Sequence, residues 1–88
     1  MRAVWKFPMP LNSETHVIQT LGDNPQTRHL AMQGSEPALW IEVEPGADVV
    51  YFRTFTWFGT GHAIPDGFTY VGTVQKGVFV FHLYEEVG

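Results

Sequence analysis

The sequence predicts an all-β fold, a small antiparallel β-sandwich or open barrel of about seven short strands. Three observations carry that expectation. Apolar and β-branched residues recur in short runs with two-residue alternation, whereas no stretch shows a 3.6-residue apolar period. Glycine, proline, asparagine and aspartate cluster between those runs, at roughly the 8–12-residue spacing of sandwich strands. Residues 49–57, Val49-Val50-Tyr51-Phe52-Arg53-Thr54-Phe55-Thr56-Trp57, form the densest aromatic and β-branched run in the chain, the residue types that favour strands.

The 88 residues are expected to form one domain, residues 1–88. A chain of this size buries only about 60–65% of its unfolded surface, and with no cysteine it has no disulfide to reinforce a small core. Few charges and many aromatics therefore suggest a homo-oligomer that completes its core between copies. The formal charge of −4 argues against binding duplex nucleic acid, which calls for a clustered basic surface. No run approaches the ~18–20 apolar residues of a membrane span, and the first residues lack a signal peptide's apolar core. The expected compartment is the cytoplasm.

Taken in order, residues 3–7 alternate as a short strand that Pro8 and Pro10 terminate, since proline donates nothing to a ladder. Residues 11–14 form a connector, in which Ser13 is able to cap a helical turn. Residues 15–21 favour a strand, and Gly22-Asp23-Asn24-Pro25 a turn. A strand follows over 28–33 and a tight turn at Gly34-Ser35-Glu36-Pro37. In the next strand, Leu39, Ile41 and Val43 face the core while Trp40, Glu42 and Glu44 face away, and Pro45-Gly46 ends it. The run over 49–58 is apolar on both faces, the pattern of a central strand covered on both sides. Gly67 and Gly77 punctuate two final strands; in the last, Phe79, Phe81 and Leu83 oppose Val80, His82 and Tyr84.

The candidate site is the loop Phe58-Gly59-Thr60-Gly61-His62-Ala63-Ile64-Pro65-Asp66. N–H groups around Gly59 and Gly61 can form a concave anion nest, with Thr60 and His62 as side-chain donors. Arg53 on the incoming strand supplies a bidentate fork for phosphate, and Trp57 or Trp40 a face on which a base can stack. No phosphate-loop spacing is present, so the alternative is that Gly-Thr-Gly simply lets the chain turn. His82 is the last candidate; its other reading is a core or interface histidine bonded to backbone.

His16, His29, His62 and His82 show no local ligand spacing, so no metal site is expected. Ser13 and Ser35 lie in a connector and a turn, outside any nucleophile elbow. Glu42 and Glu44 read as a solvated strand face, and His62–Asp66 or His82–Glu85 remain as possible dyads. Binding is thus favoured over catalysis, and no cofactor is expected.

Several segments carry a resemblance: Trp5-Lys6-Phe7-Pro8-Met9-Pro10, Pro37-Ala38-Leu39-Trp40, Arg53-Thr54-Phe55, Gly59-Thr60-Gly61-His62-Ala63-Ile64, Tyr70-Val71-Gly72-Thr73 and Phe79-Val80-Phe81-His82-Leu83-Tyr84-Glu85. In this order they resemble a family of small, uncharacterised single-domain proteins of bacteriophages and prophages. The resemblance implies a setting, the infected host cell, rather than a mechanism. By analogy with phage proteins that sequester nucleotide second messengers, the expected function is an anti-defence protein binding a small nucleotide-derived signal. The alternatives are a protein-interaction module (an inhibitor of a host protein or a minor virion component) and a nucleotide hydrolase acting through His62 or His82.

Overall fold

The computed structural model describes residues 1–87. The chain builds β1 (Ala3–Pro8), β2 (His16–Leu21), β3 (Gln26–Gln33), β4 (Glu36–Val43), β5 (Val50–Gly59), β6 (Phe68–Lys76) and β7 (Phe79–Glu86). Three strands form one sheet in the order β1-β4-β3, and four form another in the order β2-β5-β7-β6. Every hydrogen-bonded pair is antiparallel. The two sheets face each other as a small sandwich and do not close into a barrel.

Two hairpins use the same device. Gly34 (φ 65°) precedes Ser35 between β3 and β4, and Gly77 (φ 61°) precedes Val78 between β6 and β7. A left-handed glycine at the first of two loop residues matches the twist of the flanking strands. The expected turn at 34–37 is correspondingly shorter, and Pro37 already belongs to β4.

The core lies between the sheets. Leu39, Ile41 and Val43 of β4 meet Phe55 and Trp57 of β5, Val74 of β6 and Leu83 of β7, together with Met9 from the connector after β1. The alternation along β4 therefore assigns its faces correctly. Arg28 in β3 and Val71 in β6 lie at register shifts, where one extra residue bends its strand. Beside the second shift, Gly72 faces β3 so closely that a Cβ there would stand 2.9 Å from Leu30 Cδ2.

Strand β5 departs from the expectation. Phe55 and Trp57 are buried, but the opposite face is not covered: Phe52 is 64% and Val50 47% exposed. The cause is the two-layer architecture: Phe55 and Trp57 face the other sheet, whereas Val50 and Phe52 lie on the outer face. The pairing of the strand is also staggered. β2 pairs only with residues 50–55 of β5, and β7 only with 54–59. The strand is central over its middle and half-paired at each end, on opposite sides. Thus the apolar content of both faces does not signify burial on both.

Candidate functional site

The glycine loop continues directly from β5, and its residues hold one another. Gly59 N–H donates to His62 Nδ1 at 3.1 Å, and His62 N–H donates to Gly59 O at 3.1 Å. Because Nδ1 accepts, the neutral ring carries its proton on Nε2 and offers that N–H outward. The ring packs so near Gly59 that a Cβ there would stand 3.0 Å from His62 Cε1, while Gly61 takes φ 90°, which disfavours any side chain. Each glycine in Gly59-Thr60-Gly61 therefore has its own local reason, close approach for the first and turn conformation for the second.

Thr60 points to the outer face of the four-stranded sheet. Its Oγ1 lies 2.9 Å from His82 Nε2, and His82 Nδ1 lies 2.9 Å from Thr73 Oγ1. Thr73 Oγ1 in turn lies 2.5 Å from the Tyr70 hydroxyl. His82 is thus satisfied at both nitrogens by side-chain hydroxyls, not by the backbone partner expected for it. Phe58, Phe68, Tyr70 and Tyr84 form an edge-to-face aromatic cluster beside this chain.

The remaining candidates fall elsewhere. The Arg53 fork is engaged within the fold: Nε donates to Glu85 Oε2 at 2.8 Å, and Nη2 donates to Glu85 Oε1 at 2.5 Å. Further donors reach Thr27 Oγ1 at 3.0 Å and Pro25 O at 3.4 Å, and the guanidinium lies 5.2 Å from the Phe55 ring centre. Its side chain keeps only 10% of its exposure. Arg53 therefore ties β5 and β7 to β3, and its fork does not point at the loop. Trp40 lies on the outer face of the three-stranded sheet, its ring 5.5 Å from that of His29. The fold does not bring Trp40 to the loop.

Trp57 does reach it. Its indole Nε1 donates to Met9 O at 3.2 Å, and Met9 N–H donates to Pro37 O at 3.0 Å, pinning the connector across the sandwich. Between that connector and the glycine loop runs a groove of about 480 Å³. Trp57, Phe81 and Leu11 supply apolar wall, and Asn12, Ser13 and His62 supply polar groups. Its volume and mixed lining suit a small ligand, since such sites are concave, mostly apolar and carry a few placed polar groups.

The stagger of β5 adds backbone groups to this groove. Val49 O accepts from Gly22 N–H, on the side of β2. Backbone groups alternate along a strand, so Trp57 and Gly59 turn the same way as Val49. But β2 begins at His16, opposite Phe55. Past that point the strand edge is open; His62 covers the Gly59 N–H, and the Trp57 N–H and C=O are directed along the groove side. Leu11, Asn12, Ser13 and Phe81 were not foreseen as site residues, and nothing local in the sequence marks them. They meet the loop only through the pairing of strands far apart in the chain.

Among the described residues, no group of three or more histidines and carboxylates is placed to hold a metal ion. Nor is there a helix long and apolar enough to cross a membrane.

The chain matches, over residues 1–88, the family described as "Domain of unknown function (DUF7352)", and it belongs to that family. No curated protein and no solved structure matches it.

Proposed function

We propose that this member of the family is a non-enzymatic binding protein that takes the planar part of a small nucleotide-derived molecule in the groove beside the glycine loop. The observation that carries the reading is the open β5 edge at Trp57 within a largely apolar groove. An N–H and a C=O of one residue, side by side on a strand edge, form a donor–acceptor pair. A flat molecule with adjacent acceptor and donor, as on a nucleobase edge, complements it. His62 Nε2–H and the Asn12 and Ser13 side chains add donors at the rim, while Trp57 and Phe81 provide apolar contact.

The engagement of Arg53 with Glu85 reshapes the reading. No lysine or arginine lines the groove, so recognition rests on the base, with any phosphate directed to solvent. In the setting suggested by the phage resemblance, such a protein acts in the infected host cell by withdrawing a signal of antiviral defence. Calorimetric titration with nucleosides, cyclic dinucleotides and ADP-ribose derivatives tests this. Micromolar binding of at least one, without turnover and weakened five- to tenfold by His62→Ala, about 1 kcal/mol, is the expected result. Absence of binding across the panel at millimolar ligand overturns it.

One observation favours the hydrolase alternative. Thr60, His82 and Thr73 stand in the order of hydroxyl, imidazole and orienting group, each 2.9 Å from the next. Time-dependent conversion of a bound nucleotide, abolished by His82→Ala, would establish that reading in place of sequestration.

A further inference from the structure

The stagger that opens β5 at the groove also leaves its other end unsupported. Residues 50–53 pair with β2 on one side, but β7 reaches only to Thr54 on the other. The β2–β5 ribbon therefore extends past the rest of its sheet, and its apolar side chains stand in solvent on both faces. Val17 is 61%, Val49 43%, Val50 47%, Tyr51 47% and Phe52 64% exposed. Between them lie Gln19, Thr20 and Thr54, and residues 17–21 and 49–52 contain no aspartate, glutamate, lysine, arginine or histidine. Tyr51 shares its strand face with Phe55, yet Phe55 is buried and Tyr51 is not. A folded monomer gains nothing from this display, and exposed apolar strand edges invite pairing.

We infer that this arm is the interface through which two copies of the chain associate, with the β5 edges at Val50 and Phe52 laid antiparallel across a two-fold axis. Three observations select a second copy as the occupant. First, each chain carries a net charge of −4, so copies repel except through a surface without charge, and the arm is one. The outer face of the three-stranded sheet, by contrast, carries Arg2 and Arg28 on Glu42, with Lys6 on Gln33. Pairing that face with itself would instead bury ion pairs already satisfied within the chain, at a desolvation cost. Second, alternation turns the backbone groups of Val50 and Phe52 away from β2, and among the described residues no strand pairs with them on that side. Third, the β5 residues Val49, Val50, Tyr51 and Phe52 expose roughly 350–400 Å² per copy, so a pair buries on the order of 700–800 Å² from these four alone, which the strand pairing extends toward the size of a small specific interface.

Thr20 fits the same geometry. It is fully buried, and its hydroxyl donates to Tyr51 O at 2.9 Å. This bond ties the two strands of the arm together from within. The arm is thus presented as a preformed two-stranded ribbon, which lowers the ordering cost of association. The inference is independent of the groove, whose lining includes none of the five arm residues.

Sedimentation velocity on the full chain over a range of concentrations tests it. The expected result is a species of twice the chain mass at micromolar protein. Phe52→Glu, which sets two carboxylates across the axis, weakens association at least tenfold, while Ser35→Glu at the β3–β4 turn adds the same charge and leaves it unchanged. Should Phe52→Glu fail to fold by circular dichroism, Val50→Lys takes its place with the same expectation. A wild-type chain that stays monomeric at high micromolar concentration overturns the inference. So does a dimer that survives both folded arm variants, or one lost in Ser35→Glu alone.

Discussion

His62 shows how a residue can be singled out for one reason and be held in place for another. Its Nδ1 closes the turn by accepting the Gly59 N–H, which leaves Nε2–H as the group available to a ligand. Gly59→Ala sets a methyl against the ring and displaces it. Because the ring is an exposed side chain free to yield, the expected loss of stability is small, about 1 kcal/mol. Ligand affinity should fall about as far as in His62→Ala, and paired urea melts and titrations read the two effects separately. Arg53 is the opposite case. A lone arginine near a glycine loop reads as a phosphate group, and nothing within a few residues names Glu85, 32 positions away, as its partner. Arg53→Ala should cost about 2–4 kcal/mol in urea unfolding, because a half-buried carboxylate loses its fork. Combined with Glu85→Ala the loss should be less than additive. Affinity for the nucleotide-derived ligand should be unchanged in the folded variant; a large loss of affinity would return Arg53 to the site.

At the scale of the element, β5 carries both proposals. Its alternation was legible: Phe55 and Trp57 do share the inward face, and Phe52 and Phe58 the other. What alternation cannot report is how many strands flank each stretch, or how much of a four-stranded sheet a three-stranded one covers. Hence the expectation of cover on both faces failed at Val50 and Phe52. The stagger itself has a direct readout in amide hydrogen exchange. Thr56 and Phe58 pair with β7, so their amides should be protected, whereas the Trp57 amide, past the end of β2, should exchange at least tenfold faster. Bound ligand should slow Trp57 in particular. The contact between β3 and β6 offers a separate check on packing. Gly72→Ala should destabilise by about 1–3 kcal/mol through overpacking against Leu30, and a Leu30→Ala background should relieve most of that increment.

Across the whole molecule, the class of fold was legible because local signals agreed. Gly34-Ser35 and Gly77-Val78 mark tight hairpins, and the Leu39, Ile41, Val43 series marks a core face. The strand order was not, since β1 joins β4 and β2 joins β5 through pairings across long stretches of chain. The groove inherits that illegibility: Leu11, Asn12 and Ser13 meet His62 only once both sheets exist. Trp40 is held apart from the loop for the same reason, because its strand lies in the other sheet and turns it outward. Exposed charge is likewise uneven, with ion pairs on the outer face of the three-stranded sheet, the Arg53–Glu85 pair largely buried in the four-stranded one, and no charged residue at 49–52 or 17–21. The most direct test of the proposed function is nuclear magnetic resonance mapping of the amide and indole signals while adenosine, guanosine or a cyclic dinucleotide is added. Saturable shifts are expected at residues 11–13, Trp57, residues 59–63 and Phe81, with Arg53 and Trp40 undisturbed. Shifts centred on Arg53 and Glu85, or on the outer face around Trp40, or none with any of the three ligands, would contradict it.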